Sequence, residues 1–228
     1  MSWLNLSASK LKTYALCPLW YHWQNNLKLL QVEGDALRIG TSYHSLVERH
    51  HNGEPFVEPT RDTKLLTGLF KKYLAKPLEG AVVDTEKRFE INLGDVTIKG
   101  ILDRLDEDKI GEYKTTSKDY KPEDVDNFQT DIYIWYLYKT TGCLYPMVYH
   151  VNNKKKIDSN KYLPQIIKVE KTVQQVEEIE KKLIDTAEEI KKGDFKPWPG
   201  NHCQWCPYSS VSFIGGTKNC PIRYAKKW

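Results

Sequence analysis

Residues 100–116 read GILDRLDEDKIGEYKTT, two largely apolar runs separated by a short charged stretch. Such runs on either side of a polar turn predict two antiparallel strands. If residues 106–109 form the loop, Asp103 lies directly opposite Glu112. Because side chains alternate along a strand, Glu112 and Lys114 then point to the same face. The segment therefore predicts a hairpin that carries two carboxylates and one ammonium group on one face.

Two opposed carboxylates repel each other unless something lies between them. A divalent cation would turn this repulsion into attraction, and hard oxygen ligands suit Mg²⁺ or Mn²⁺. Lys114 beside such an ion could orient a water molecule or stabilise charge on a phosphate. A solvated face of mixed charges is the alternative, and a register slip of one residue would separate the set.

Helices and strands alternate around this hairpin in a pattern typical of mixed α/β or α+β proteins. Ser7 or Ser9 can cap a first helix that ends near Cys17, and residues 172–192 carry an apolar stripe at helical spacing. The elements predicted between these two helices are helices 35–51 and 62–76, strands 82–92, 96–105 and 109–115, a helix from Pro122 to about Thr140, and strands 143–151 and 162–170.

Composition indicates a globular protein. The chain has 228 residues, 40% of them hydrophobic and 28% charged, which suits one domain or one domain with a small added lobe. No apolar run approaches a membrane span, and the first residues do not resemble a secretory signal, so we expect a cytoplasmic protein. In that compartment, five cysteines indicate metal binding more than disulfides.

The two ends of the chain differ from its middle. Residues 1–31 carry a net charge of +3 and residues 193–228 one of +4, whereas residues 32–192 carry −3. The ends also hold six of the seven tryptophans and four of the five cysteines. This coincidence predicts that both ends come together as one basic, aromatic lobe, in addition to a core of residues 32–192. Such a surface suits single-stranded nucleic acid; alternatively, the tryptophans fill a small core around a metal.

The hairpin residues Gly100, Asp103 and Arg104, followed by Glu112-Tyr113-Lys114-Thr115, resemble the core of the PD-(D/E)XK nucleases of the RecB-like branch. Further motifs in the order of that branch cover almost the whole chain. They are Ser7-x-Ser9-x-Leu11-x-x-Tyr14-x-x-Cys17-Pro18-x-x-Tyr21, Ile39-Gly40-Thr41-x-x-His44-x-x-x-Glu48, Gln129-x-x-x-Tyr133 and Cys203-x-x-Cys206.

This resemblance implies a restriction-endonuclease-like core, with a central mixed sheet flanked by helices, plus a small cysteine lobe made from both termini. It implies that His44, Asp103 and Glu112 bind the metal, together with the carbonyl of Tyr113. Lys114 would be catalytic. The resemblance also implies that Gln129 and Tyr133 contact the substrate strand, although a core position is the alternative for both. We expect Glu86 to assist the site from outside the ligand shell, with a simple ion pair to a lysine as the alternative, and Glu48 to be structural.

Four cysteines could bind a second metal group. Cys203 and Cys206 form a close pair, while Cys17 and Cys220 come from elsewhere in the chain. Four thiolates suit Zn²⁺ or a [4Fe–4S] cluster, and the resemblance favours the cluster. The spacing from Cys206 to Cys220 is longer than in that branch, which leaves zinc as an alternative. Cys143 is expected to be a buried core thiol.

Together these features predict an Mg²⁺- or Mn²⁺-dependent DNA exonuclease that acts on single-stranded or frayed ends. The resemblance is to CRISPR-associated iron–sulfur nucleases, their phage-borne relatives and the AddB nuclease domain. It implies a helicase or a CRISPR-adaptation protein as a candidate partner. The alternative is a non-catalytic nucleic-acid-binding subunit with a Cys₄ zinc or iron–sulfur lobe.

Overall fold

A computed structural model describes residues 4–29, 34–209 and 220. The helices and strands in chain order are β1 Leu4–Leu6, α1 Ala8–Leu16, α2 Pro18–Tyr21, α3 Asp35–His51, α4 Thr63–Ala75, β2 Val82–Leu93, β3 Val96–Asp106, β4 Ile110–Thr116, α5 Asn127–Thr141, β5 Met147–Asn153, β6 Gln165–Val169 and α6 Val173–Lys192. Short turns of other helical types occupy His22–Asn26, Pro122–Asp124 and Asn201–Gln204.

The chain divides into two compact units. The core unit comprises residues 35–91 and 99–180, and the terminal unit comprises residues 1–34, 92–98 and 181–228. The predicted boundaries at residues 31 and 193 stay a prediction. No helix within the described ranges combines the length and the apolar character needed to cross a bilayer.

A mixed β-sheet organises the core unit. Strand β2 pairs with β3, β3 runs antiparallel to β4, β4 parallel to β5, and β5 antiparallel to β6. With helices packed against this sheet, the core unit has the predicted mixed α/β fold, consistent with a restriction-endonuclease-like core. The parallel β4–β5 pair requires a crossover, and α5 provides it.

The hairpin register agrees with the prediction from the turn length. Arg104 pairs with Gly111 and Leu105 with Ile110. Extending this register by one residue places Asp103 opposite Glu112. In the parallel pair, Glu112 of β4 lies beside Tyr149 of β5.

Helices α3 and α4 supply a hydrophobic core on the Tyr113 side of the sheet. Tyr43 and Val47 of α3 and Leu69 of α4 are fully buried in this core. Helix α5 packs on the opposite face, where the Thr130 hydroxyl lies 2.8 Å from the Tyr149 hydroxyl. Glu112 and Tyr149 share that face because directly paired residues point the same way.

The terminal unit joins segments from both ends of the chain. Strand β1, which the sequence pattern does not indicate, pairs in parallel with the start of β3, Leu4 opposite Val96. Ser7 caps α1 by accepting from the Lys10 N–H, as its position predicts. Phe195 stacks on His22, with ring centroids 4.6 Å apart.

Three local expectations differ from the structure. Pro122 opens only a short 3₁₀ turn, and α5 begins at Asn127 because the Asp126 carboxylate accepts the Gln129 N–H as its cap. Strand β5 begins at Met147 rather than at residue 143. Cys143 consequently lies in the segment after the Gly142 cap and is exposed, so the expectation of a buried core thiol was wrong.

Candidate active site

The hairpin brings the three predicted catalytic side chains together in the core unit. Asp103 and Glu112 are 8% and 1% exposed, so both carboxylates are taken from water. The Tyr113 N–H donates to Asp103 Oδ2 at 2.9 Å, and Lys114 Nζ donates to Glu112 Oε1 at 2.6 Å. The β3–β4 pairing places Asp103 beside the Tyr113 N–H, and strand alternation places Lys114 on the same face as Glu112, two residues along β4.

Gln129 completes a closed hydrogen-bonded set on this face. Its Nε2 donates to Glu112 Oε1 at 2.8 Å, and its Oε1 accepts from Lys114 Nζ at 2.8 Å. Nε2 also lies 3.3 Å from the hydroxyl of Tyr133, one turn further along α5. Gln129 thus touches both predicted catalytic side chains of β4, and its predicted contact with the substrate strand stays a prediction.

Tyr133 is largely buried. It is 6% exposed and packs edge-to-face against Phe89, with ring centroids 5.7 Å apart. Its hydroxyl is the part that faces Gln129. Its predicted role as a substrate contact remains open.

His44 reaches the hairpin from α3. Its Nδ1 lies 3.3 Å from Asp103 Oδ1, and its Nε2 lies 2.7 Å from the carbonyl oxygen of Tyr113. Tyr43 and Val47, its neighbours on α3, are fully buried, which orients the helix. The ring therefore lies between two of the predicted oxygen ligands.

Glu86 approaches the same place from β2. One donor atom each from His44, Glu86 and Asp103 lie within 4.8 Å of one another, the one such group of three among the described residues. Glu86 has a backbone φ of 48°, in the left-handed region that a residue with a side chain rarely adopts. The backbone turn that brings this carboxylate inward could not be read from the sequence, which left Glu86 outside the expected ligand set.

The ionisable side chains of the site alter one another's pKa values. Burial raises the pKa of Glu112, and the neighbouring Asp103 raises it further. Burial would also raise the pKa of Asp103, but His44, the Tyr113 N–H and Lys114 hold it below its ordinary value. Burial would lower the pKa of Lys114, yet Glu112 and Asp103 keep it above its ordinary value. Lys114 is therefore an ammonium group at neutral pH, a donor and a positive charge.

The side chain of Tyr113 anchors the strand on the other face of the sheet. Its hydroxyl lies 3.0 Å from His51 Nε2, which is also 2.8 Å from the Tyr73 hydroxyl. Burial lowers the pKa of His51 to about 4, so the ring is neutral and the two hydroxyls share its one Nε2 atom. This anchor fixes the backbone between Glu112 and Lys114, and the sequence reasoning did not identify it.

The donor set fits a hard divalent cation. Glu112 Oε2 is buried without a hydrogen-bond partner, and such an atom costs free energy unless a ligand satisfies it. Carboxylates with one imidazole are ligands that Mg²⁺ and Mn²⁺ accept. His44, Glu86 and Asp103 are the three that lie close enough together to share one cation, and the assignment of Glu112 as a further ligand stays a prediction.

The four predicted cysteine ligands line one pocket in the terminal unit. Burial raises the pKa of the Cys206 thiol to about 11, and the nearby Cys17 and Cys203 add to this effect. The Trp198 N–H donates to Cys17 Sγ at 3.4 Å. The pocket is lined by Cys17, Leu19, Trp20, Trp23, Pro197, Trp198, Pro199, His202, Cys203, Cys206, Ser209 and Cys220.

The fold resembles solved structures of low sequence identity. A protein from Eubacterium rectale described as a "putative exonuclease" matches with a TM-score of 0.58 and 16% identity, over 89% of this chain and 86% of that one. The protein SSO0001 matches with a TM-score of 0.52 and 18% identity, over 94% of this chain and 88% of that one. None of the curated proteins compared with this sequence matches it.

The sequence itself carries the signature of a family. A profile described as the PD-(D/E)XK nuclease superfamily matches residues 5–82 and 63–211, which together span most of the chain. Both matched ranges include residues of the candidate site, His44 in the first and Asp103 with Lys114 in the second. The chain therefore belongs to the PD-(D/E)XK nuclease superfamily.

Proposed function

We propose that the protein is an Mg²⁺- or Mn²⁺-dependent deoxyribonuclease. The observation that carries this proposal is the convergence of Asp103, Glu112 and Lys114 on one buried hairpin, with His44 and Glu86 within reach of Asp103. Superfamily membership supports the same chemistry. A protein that only binds nucleic acid has no need of opposed, buried carboxylates, because acids repel phosphate.

Each residue has a role that follows from its contacts. Asp103, Glu112, Glu86 and His44 would hold the metal, as would the Tyr113 carbonyl. A bound cation would lower the pKa of a coordinated water and offset the charge of the phosphate. Lys114, as an ammonium group, stabilises the negative charge that develops on the phosphate oxygens during hydrolysis.

Gln129 keeps these groups in their working positions. Its amide bonds both Glu112 and Lys114, so neither side chain can turn away without breaking a hydrogen bond. Positioning of this kind lowers the activation barrier because the groups need not reorganise during the reaction.

We further propose exonuclease action on single-stranded or frayed DNA ends. The predicted basic ends of the chain support this choice, as do the exposed rings of Trp198 and Trp205, which are 66% and 60% exposed. The description of the Eubacterium rectale protein as an exonuclease points the same way. By the resemblance to the RecB-like branch, a helicase or a CRISPR-adaptation protein is the partner to test by co-purification.

We also propose a structural [4Fe–4S] cluster at Cys17, Cys203, Cys206 and Cys220. All four cysteines line one pocket of the terminal unit, so four thiolates are available to one metal group. The resemblance to the iron–sulfur members of the RecB-like branch favours the cluster over tetrahedral Zn²⁺. Hydrolysis needs no electron transfer, so the cluster would act by holding the fold together.

A cleavage assay tests the main proposal. Labelled single-stranded and double-stranded DNA are incubated with the protein and Mg²⁺, Mn²⁺ or a chelator. We expect cleavage with either metal, none with chelator, and faster cleavage of single strands. Circular single-stranded DNA should survive while its linear form is degraded, because an exonuclease needs an end.

Two results would overturn parts of this account. DNA binding without cleavage in either metal would favour the alternative, a non-catalytic binding subunit. Cleavage of the circle as fast as of the linear strand would contradict exonuclease action while leaving the metal-dependent chemistry intact.

A further inference from the structure

The connection between β4 and α5, residues 117–126, joins the two elements that carry the candidate site. Strand β4 ends at Thr116, just after Glu112 and Lys114, and α5 begins at Asn127, just before Gln129. The connection therefore begins three residues after Lys114 and ends three residues before Gln129.

One tyrosine of this connection is held by an amide clamp. The Tyr120 N–H donates to Gln165 Oε1 at 2.8 Å, and Gln165 Nε2 donates to the Tyr120 carbonyl at 3.0 Å. A side-chain amide that satisfies both backbone groups of one residue fixes the backbone of that residue in place. The connection is also tied by Asp119, which accepts from Asn153 Nδ2 at 3.0 Å.

The clamp lies on the catalytic face of the sheet. Lys114 pairs with Val151 across β4 and β5, and Val151 pairs with Gln165 across β5 and β6. Directly paired residues point to the same face, so Gln165 shares the face of Lys114. The connection consequently crosses over this face, and Tyr120 is the residue that the clamp presents there.

The pKa of the Tyr120 phenol is affected by charged residues of the candidate site. Burial raises its pKa, Lys114 opposes this effect, and Asp126, Asp124 and Glu112 add to it. The ring is thus within electrostatic reach of two side chains of the catalytic set and is a neutral phenol at working pH. The residue as a whole is half-buried.

The two lysines of the connection lie beside its own carboxylates. Lys118 Nζ pairs with Asp124 at 2.5 Å, and Lys121 Nζ lies 3.6 Å from Glu123. The connection therefore offers a nucleic acid little free positive charge. What it offers is an aromatic residue with a fixed backbone, and an aromatic ring binds nucleic acid by stacking on a base.

We propose that Tyr120 stacks on the nucleobase next to the scissile phosphate and that Gln165 is the positioning residue that holds it there. This inference rests on the nuclease function proposed above. The ring would fix the register of the strand, so that the phosphate attached to the stacked nucleotide meets Lys114. Stacking needs no particular base, which suits a nuclease that removes nucleotides of any sequence.

A double-mutant cycle, in which one change is made in the protein and the other in the DNA substrate, tests this proposal. Wild-type protein and Tyr120→Ala are each assayed on single-stranded oligonucleotides that carry one abasic nucleotide, moved along the strand. We expect Tyr120→Ala to lower kcat/KM about 5- to 100-fold on intact DNA, through KM more than through kcat. At one position, the abasic nucleotide should lower the wild-type value by a similar factor and have no further effect on the variant.

Conservative and control variants separate stacking from folding. Tyr120→Phe keeps the ring and should stay within about threefold of wild type, because stacking uses the ring face. Gln165→Leu keeps Tyr120 but removes the clamp, and should lose most of the coupling to the abasic position. Tyr145→Ala should behave as wild type, because Tyr145 precedes β5 at the end of the sheet where Ile110 pairs with Met147, away from Lys114.

Each outcome bears on the proposal. Full activity in Tyr120→Ala, or effects that multiply independently at every abasic position, would overturn it. Full coupling in Gln165→Leu would overturn the role of the clamp. The same cycle is also measured as binding affinity with Ca²⁺. If the protein binds DNA without cleaving it, the proposed hydrolysis fails while the binding cycle still tests Tyr120. Absence of binding overturns both proposals.

Discussion

Glu112 shows how the site is built from single side chains. One carboxylate oxygen receives Lys114 and Gln129, while the other is buried with no hydrogen-bond partner. A buried acceptor left unsatisfied costs about 1–3 kcal/mol, so its persistence indicates that a ligand belongs there. The neighbouring Asp103 has its own oxygens engaged by Tyr113 and His44.

Two substitutions at Glu86 can separate its contribution to metal binding from the cost of its strained backbone. Its φ of 48° costs about 1–2 kcal/mol for any residue with a Cβ but little for glycine. We therefore expect Glu86→Gly and Glu86→Ala to lose Mn²⁺ affinity equally, with the glycine variant about 1 kcal/mol more stable. Calorimetric titration with Mn²⁺ and urea unfolding measure the two effects. Wild-type Mn²⁺ affinity in both variants would show that Glu86 is not a ligand.

His150 should make the protein sensitive to acid. It is fully buried, its Nε2–H donates to the Lys76 carbonyl at 2.9 Å, and its Nδ1 has no hydrogen-bond partner. Burial lowers its pKa to about 4, whereas an unfolded histidine titrates near about 6.5. As the pH falls from about 6.5 to 4, the unfolded chain takes up a proton that the folded one refuses, so stability falls by up to about 3 kcal/mol.

Urea unfolding at several pH values checks this effect. His150→Gln should lose less stability than wild type between pH 6.5 and 4, although it is less stable at neutral pH. His51 contributes a change of the same sign to both proteins, since its pKa is also lowered. Parallel stability curves for wild type and His150→Gln would contradict this explanation.

The sequence predicted part of the site at this scale because the hairpin is local. A turn of fixed length sets the pairing of Asp103 with Glu112, and alternation sets the direction of Lys114. The inward turn of Glu86, the anchor from His51 and the clamp from Gln165 depend on backbone conformation or on residues distant in sequence. Periodicity carries no signal for such contacts.

Among the elements, β3 shows how closely the site is packed. A Cβ at Gly100 would lie 2.4 Å from the Phe89 ring and 2.9 Å from that of Tyr133. We expect Gly100→Ala to cost about 1–3 kcal/mol, because the rings must move. Gly40 on α3 is the matched control: nothing lies within 4 Å of its Cβ position, so Gly40→Ala should stabilise the protein by up to about 1 kcal/mol. Equal stability of Gly100→Ala and wild type would contradict the packing described.

Element boundaries were predicted less well where two signals compete. Pro122 is a good first residue of a helix. The helix nevertheless begins after Asp126, which caps it and is followed by Gln129 three residues later. The apolar residues 143–149 read as one strand, but the β-ladder begins only at Met147. Cys143 was misplaced for this reason, since its burial was inferred from the strand.

At the scale of the whole molecule, both ends of the chain contribute to the terminal unit. The parallel pairing of β1 with the start of β3 joins residues about ninety positions apart, and a three-residue strand leaves no periodic signal. The aromatic and cysteine content of the two ends was the signal that the sequence did provide.

The cysteines of the terminal unit predict a colour. Protein purified under nitrogen should show broad visible absorbance and contain iron, and Cys203→Ser should lose both and unfold more easily. Cys143→Ser is the matched control, because Cys143 is exposed and does not line the cysteine pocket. A colourless protein containing zinc would contradict the cluster, and loss of colour in Cys143→Ser would contradict the ligand assignment.

The most direct measurement is single-turnover cleavage of linear single-stranded DNA with Mn²⁺ by wild type, Lys114→Met and Lys168→Met. Lys168 is an exposed lysine of β6 paired with Glu170, so its variant should match wild type. We predict that Lys114→Met loses about 10³-fold in rate while its DNA affinity changes little and the protein still folds, with reduced thermal stability because the buried Glu112 loses its ion-pair partner. Cleavage by folded Lys114→Met within a few-fold of wild type would contradict the assignment of this hairpin as a nuclease active site.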